Sequence, residues 1–181
     1  IGLGCGPATI EAIGSQVHWI QSGSVGLDRC FNTVGEDAQR MQEKMKEQNV
    51  LVSSIRDMTK HSIAQHSLTI MLSLIGGMDI HAERQRKHIW GRTRTDVVRD
   101  KHLDAEFQDL TLLVVGLGSI GTELAKLANA LGMRVIATRN SSRSGPDFVD
   151  YVGLSDEMYE LAKEADIVFA AVPPTPATLG L

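Results

Sequence analysis

Cysteine is scarce in this chain: Cys5 and Cys30 are the only two in 181 residues. They form neither a CxxC pair nor a disulfide framework, which argues against a disulfide-stapled secreted scaffold and fits a reduced, cytoplasmic setting. Long apolar runs are also lacking. None approaches the roughly 18–20 residues that a membrane span needs, so no membrane partner is expected. No stretch is densely basic and the net charge is −4, which makes nucleic acid an unlikely partner. The first twenty residues have no basic n-region and no cleavage pattern, so they do not read as a signal peptide. Internal repeats and low-complexity tracts are missing. What remains is 43% hydrophobic and 22% charged, the balance of a soluble globular protein with one domain, or one and a fraction. The chain begins at Ile1 rather than Met, and it stops at Leu181 just after a strand pattern. Both ends read as cut, and the expectation is a piece of a longer protein.

Hydrophobic periodicity gives the coarse layout. Val17 to Gln21 predicts a short buried strand, followed by a small-residue loop over Ser22 to Gly26. Gly35 to Asn49 is polar and helix-prone, with Met41 and Met45 on one face, and Val50 to Val52 predicts another strand. The longest helical signal places Ile63, Ser67, Ile70, Met71, Leu74, Ile75 and Met78 on one stripe. Asp57 or Thr59 would cap its start. Gly76-Gly77 should weaken its middle by about 1 kcal/mol each relative to alanine, which predicts a kink or a close helix contact. Polar residues from Glu83 to Lys101 predict a solvated helix end and a linker.

From Leu110 the rhythm becomes β-α-β. Strand 111–115 enters Gly116-Leu117-Gly118-Ser119-Ile120-Gly121, and a helix over 119–131 follows, with Ile120, Leu124, Leu127, Ala128 and Leu131 on one face. Gly132 is its expected stop. Further strands are predicted at Arg134 to Thr138, at Tyr151-Val152 and at Ile167 to Val172, with Ser155 capping a helix between the last two. Apolar strands that do not alternate, separated by helices, imply a parallel sheet covered on both faces.

Each glycine of the turn has an expected task. Gly116 lets the strand turn sharply, Gly118 lets a pyrophosphate approach the backbone, and Gly121 lets the helix pack against the strand. Amides near Ser119 and Ile120 would face the phosphates with the helix dipole behind them. A GxGxxG pattern is weak by itself, and a purely structural turn is the competing reading. The strand, helix and second strand around it, all of suitable length, favour a dinucleotide. The opening Gly2-Leu3-Gly4-Cys5-Gly6 has no strand before it and Pro7 after it, so it reads as a plain loop.

An acidic residue is missing where such folds hold the ribose. About 18 residues beyond Gly121 the chain reads Thr138-Arg139-Asn140. A carboxylate there would accept bonds from the 2′-hydroxyl of NAD and repel a 2′-phosphate, whereas a guanidinium pairs with the phosphate. Arg139 and Asn140, with Ser141, Ser142 and Arg143 nearby, therefore favour NADP over NAD. The competing reading is a solvated arginine at a loop start.

Four ordered segments resemble the D-isomer-specific 2-hydroxyacid dehydrogenase family. Trp19 to Asp28 is similar to its W-V-Q-S-x-S-A-G-V-D segment, and Ile63-Ala64-Gln65-His66 to the I-A-E-H start of its long helix, with Gln65 in place of Glu. Val115 to Gly121 is similar to its V-G-L-G-x-I-G turn, and Ala165-Asp166-Ile167 with Val172 to Thr178 to its E-A-D-x-V and L-P-x-T-P-E-T segments. The resemblance covers nearly the whole chain. It implies a Rossmann-type, doubly wound parallel sheet, truncated here, with part of a second, flavodoxin-like substrate domain. It implies domains at 1–57 for substrate and 58–181 for the dinucleotide, the latter including the long linking helix near 60–90. It places the substrate carboxylate on the backbone at Val25 and Gly26, the pyrophosphate on Ser119 and Ile120, and Val172, Pro173 and Thr178 along the cofactor. The long helix would serve a homodimer, and the substrate would be a small 2-oxo acid such as glyoxylate or hydroxypyruvate.

The same resemblance places the catalytic arginine, its acidic partner and the acid/base histidine beyond Leu181. None of His18, His61, His66, His81, His88 and His102 matches that histidine. His66 reads as a packed or hydrogen-bonded helix residue, His81 and His88 as solvated, and no metal site is expected because no carboxylate or cysteine cluster accompanies them. The 181 residues alone are expected to be inactive and marginally stable, with apolar sheet edges left open. Two rival functions remain. One is a dinucleotide-sensing corepressor-like module of the same fold. The other is a short-chain reductase, whose Tyr-x-x-x-Lys pair is met by Tyr159 and Lys163, too soon after the glycine turn to be more than chance.

Overall fold

A computed structural model of the chain describes residues 17–24, 43–55, 57–90, 106–173, 175, 177, 178, 180 and 181. The chain divides into two units, Ile1–Thr59 with Val172–Leu181, and Lys60–Ala171.

In the first unit, β1 (Trp19–Ser22) and β2 (Leu51–Ser54) pair in parallel, with Trp19 opposite Leu51 and Ser22 opposite Ser54. Both strands are shifted toward the C-terminus relative to the runs predicted from hydrophobicity, because Ser22, Ser53 and Ser54 complete the ladder despite their polarity. Ile20 and Met45 are buried here with Val17, Val50 and Val52 around them, and residues 43–47 are helical. The Trp19 indole donates to Ser53 Oγ at 2.7 Å, and that hydroxyl donates to Gln21 Oε1 at 2.7 Å. Ser22 Oγ accepts from the Ser24 amide at 3.1 Å and so shapes the entrance of the small-residue loop. Val25, Gly26, Met41 and the opening glycine-rich stretch lie outside the described residues.

The second unit is built on four parallel strands in the order β5-β4-β3-β6, namely β3 (Thr111–Val115), β4 (Arg134–Arg139), β5 (Tyr151–Leu154) and β6 (Ile167–Ala170). Every residue of β3 is buried, as expected of a strand covered on both faces. Leu112, Val114, Val135 and Ala137 share one core with Leu124, Ala125 and Ala128 of α3 (Ser119–Ala130) and with Ala64, Met71 and Ile75 of α1 (Lys60–Ile75). Leu113, Val115 and Ile136 alternate to the other face and are equally buried. Strand β6 departs from the sequence expectation: it ends at Ala170 rather than at Val172, and Val168 is 55% exposed, because β6 is the sheet's edge.

Two aspartates stand just before strands. Asp150, before β5, accepts the Val135 amide at 2.9 Å and returns its own amide to the Val135 carbonyl at 2.8 Å. Asp166, before β6, does the same with Thr111, at 2.8 and 3.0 Å.

The long helical signal resolves into α1 and α2 (Met78–Arg86), bent by 68° across Gly76-Gly77. Gly77 has a left-handed φ of 59° that a side chain would strain, so the expected kink is present. The predicted single stripe is not. Ala64, Met71 and Ile75 turn inward, whereas Ile63, Ile70, Leu74 and Met78 are exposed at 37, 50, 64 and 54%. Two apolar faces had been merged, because residues three and four apart fit either. Lys60 and His61 of α1 both reach Glu123 of α3, at 3.8 and 3.2 Å. His66, expected to be packed or bonded, is exposed on α1, as are His81 and His88 on or after α2. Among the described residues no single helix is long and apolar enough to cross a membrane.

Candidate functional site

The carboxyl ends of β3 and β6 adjoin at the point where the strand order reverses, the place where open α/β sheets bind ligands. The loop that leaves β3 here is held by β4. The amides of Gly116 and Leu117 both donate to the Thr138 carbonyl, at 3.2 and 2.9 Å, and Arg139 Nε donates back to the Leu117 carbonyl at 3.1 Å.

Two of the three glycines are required by the fold, each for its own reason. Gly116 has φ 94°, a left-handed conformation that side chains rarely adopt. Gly121 is buried at a crossing so tight that a Cβ would stand 2.8 Å from Val114 Cγ1 and press on the Gly116 carbonyl oxygen. Gly118 has neither constraint. Its φ of −86° and ψ of −162° suit any residue, and a Cβ there would meet nothing within 4 Å. Its own side of the loop faces open space over the start of α3.

That start is electrostatically bare. The first helical bond runs from the Thr122 amide to the Gly118 carbonyl at 2.8 Å, so the amides of Ser119, Ile120 and Gly121 precede the ladder, and among the described residues no side chain caps them. A helix terminus of this kind attracts an anion. The open position at Gly118 and these amides together fit a pyrophosphate.

Arg139 is half-buried and Asn140 exposed. The bond to Leu117 uses only Nε of Arg139, and no carboxylate pairs with this guanidinium among the described residues. Arg143, expected as a further donor, is already engaged. Its Nη1 lies 2.8 and 2.9 Å from the two carboxylate oxygens of Glu157 and donates to Tyr151 Oη at 2.9 Å. Glu157 also accepts from Tyr151 Oη at 2.6 Å and from the Leu154 amide at 2.6 Å.

The sequence reading missed Glu157 because it started the helix cap one residue late, at Ser155. The first helical residue is Ser155 itself, in a short 3₁₀ turn (Ser155–Glu157) that leads into α4 (Met158–Ala162), and Glu157 reaches back to the residue before the turn. A glutamate three residues beyond a strand end was the available signal.

These bonds, chiefly from Arg143 and then from Tyr151 and the Leu154 amide, hold the Glu157 carboxyl at about 2, below its ordinary 4.5. The Glu157 carboxylate in turn pushes the Tyr151 phenol up. Because the folded value of Glu157 is depressed, its anchoring is complete above about pH 4.5 and disappears as the pH falls toward 2. Ring resonances of Tyr151 should therefore stay constant from pH 7 to about 5 and move only in more acid solution. A midpoint near 4.5 would show that the anchor does not form.

The remaining expected cofactor residues fall in the other unit. Val172 is half-buried and Pro173 exposed. The Thr178 hydroxyl donates to the Pro173 carbonyl at 2.6 Å and accepts the Thr175 amide at 2.8 Å, so it staples its own turn. Tyr159 and Lys163 do not form a catalytic pair: Tyr159 is 66% exposed and Lys163 is bonded to Glu160 at 2.7 and 2.8 Å. A cavity of about 370 Å³ lined by Leu72, Ile75, Phe107 and Leu131 lies where β3 begins and α3 ends, away from the glycine turn.

A family model described as the NAD-binding domain of D-isomer-specific 2-hydroxyacid dehydrogenases matches residues 68–181, the glycine turn included. The chain belongs to this family. Among its relatives is the D-specific alpha-keto acid dehydrogenase of Enterococcus faecalis, 36% identical over 159 residues, a match that takes in 87% of this chain and 41% of that protein. D-Lactate dehydrogenase of Aquifex aeolicus, solved with NAD and lactic acid, superposes with a TM-score of 0.71 at 22% identity, over 94% of this chain and 45% of its own. The NADPH-dependent glyoxylate/hydroxypyruvate reductase of Sinorhizobium meliloti, solved with NADP and sulfate, gives 0.65 at 19% identity, over 89% and 44%. The chain thus spans less than half the length of these dehydrogenases, and the solved members hold either form of the cofactor.

Proposed function

We propose that this chain forms the cofactor cradle of a cytoplasmic D-2-hydroxyacid dehydrogenase that reduces a small 2-oxo acid with NADPH in preference to NADH. The observation that carries the reading is the glycine at position 118, which neither the backbone nor the packing requires. A bound dinucleotide supplies the requirement. Gly116, Gly118 and Gly121 form the turn, and the amides of Ser119 and Ile120 hold the pyrophosphate. Arg139, whose terminal nitrogens pair with no carboxylate among the described residues, and Asn140 meet the ribose and its 2′-phosphate. Val172, Pro173 and Thr178 are assigned to the cofactor's length, and the backbone of Val25 and Gly26 to the substrate carboxylate. In this reading residues 1–57 belong to a substrate-binding domain and 58–181 to the dinucleotide domain.

A reduced dinucleotide held there would supply the hydride for a 2-oxo acid, and a general acid would supply the proton that completes the hydroxyl. General-acid help in that step is worth about 10²–10⁴-fold; this reading assigns it to none of the 181 residues, which bind nucleotide without turnover. Homodimerisation is assigned to the exposed face of α1 at Ile63, Ile70 and Leu74. A monomer in sedimentation equilibrium at micromolar concentration would remove that part.

The cofactor assignment is tested by Arg139→Asp. Removing the cation and adding a carboxylate should lower the NADPH-to-NADH affinity ratio about tenfold or more, read by fluorescence titration. An unmodified protein that binds NADH as tightly as NADPH would overturn the preference.

A further inference from the structure

We propose that Glu157 is a specificity-determining residue for the nucleotide: it keeps Arg143 in a neutral pair, so that, among the described residues at this end of β4, Arg139 is the cation offered to a ribose 2′-phosphate. The proposal rests on the cofactor reading above and adds to it a residue that never touches the cofactor.

Glu157 sits beside the ribose end of the candidate site. Arg139 ends β4, and its partner across the ladder is Leu154, the last residue of β5. The Leu154 amide is bonded to Glu157 Oε1 at 2.6 Å. The loop from Asn140 to Pro146 begins directly after Arg139, and it is fixed at two points. Arg143 is tied to both carboxylate oxygens of Glu157. Two residues on, Gly145 lies so close to β5 that a Cβ would stand 2.6 Å from Val152 Cγ2 and 3.3 Å from Leu117 Cδ2. Arg143 therefore cannot turn to a phosphate without breaking charge-assisted bonds to Glu157.

The two arginines differ in charge environment as well. Glu157 offsets the positive charge of Arg143, whereas among the described residues Arg139 donates only to a carbonyl. An approaching 2′-phosphate meets one uncompensated guanidinium and, behind Arg143, a carboxylate of its own sign. The pair restrains the preference for the phosphorylated cofactor.

The test is direct binding, without turnover, of adenosine 2′,5′-bisphosphate and of AMP, measured by calorimetry on the unmodified protein and on Glu157→Gln. The glutamine keeps the size and an acceptor for the Leu154 amide but removes the charge. Binding of the bisphosphate should tighten about 3- to 10-fold, most at low salt, while AMP changes less than about twofold. Arg143→Ala in the Glu157→Gln background provides the second measurement. It should return the bisphosphate-to-AMP ratio to the unmodified value, since the gain comes from the released Arg143. A ratio that is unchanged or lowered in Glu157→Gln, or one that stays raised when Arg143 is removed as well, overturns the proposal and leaves the cofactor reading standing. Failure of the unmodified protein to bind either nucleotide overturns both.

Discussion

Gly118→Val will abolish dinucleotide binding without unfolding the protein. The backbone at 118 already has the extended geometry of an ordinary residue, and a Cβ there meets no atom of the chain within 4 Å. The new side chain enters only the space above the Ser119 and Ile120 amides. It should hold a pyrophosphate off the helix start and cost about 3 kcal/mol of binding, a loss of roughly 100-fold or more. The melting temperature should stay within about 2 °C of the parent's, as for surface substitutions away from structural constraints. Gly118→Ala should lie between the two. Undiminished nucleotide affinity in Gly118→Val would remove the main support for the cradle.

Gly121→Ala has the opposite signature. Its methyl group would be driven against Val114 Cγ1 and the Gly116 carbonyl, and neither can yield. Val114 is on the central strand, and the Gly116 carbonyl accepts the Gly118 amide at 2.9 Å. Helix α3 must move off β3, with loss of the packing of Leu124, Ala125 and Ala128. Overpacking of this kind costs about 3 kcal/mol or more, which would lower the melting temperature by about 6 °C or more. An unchanged melting temperature in Gly121→Ala, with nucleotide binding intact, would show that α3 packs less tightly than described. Two substitutions three residues apart thus separate binding from folding.

The sequence made the second unit legible because its signals are local. Four apolar strands, a helix with a clean apolar face and glycines at fixed spacing left little choice of topology. Boundaries were read less well where polar residues finish an element, as Ser53 and Ser54 do in β2, or where an apolar run outlasts its pairing, as Ala171 and Val172 do after β6. Side-chain partnerships across the fold were not legible. Nothing local to Arg143 says that Glu157, fourteen residues on, neutralises it. Nor does the spacing of Ile63, Ile70 and Leu74 say that they face away from Ala64, Met71 and Ile75. Exposure depends on what packs against a helix, and a repeat of three and four residues cannot encode that.

The two aspartates before β5 and β6 have a consequence for register. In a sheet with one wet face, a strand that slips by one residue turns its apolar side chains to solvent and is rejected. Strand β3 is buried throughout, so Leu112 and Val114 could exchange faces with Leu113 and Val115 at little hydrophobic cost. Asp166 grips Thr111, and Asp150 grips Val135, each by both main-chain and side-chain bonds. A slip between β3 and β6 would break the Asp166 grip, and one between β4 and β5 the Asp150 grip. These carboxylates act as index pins for an alignment that hydrophobicity alone leaves degenerate. The glycine turn stands at the far end of the strand that Asp166 aligns, so the height of the phosphate cradle above the sheet is set five residues away from it.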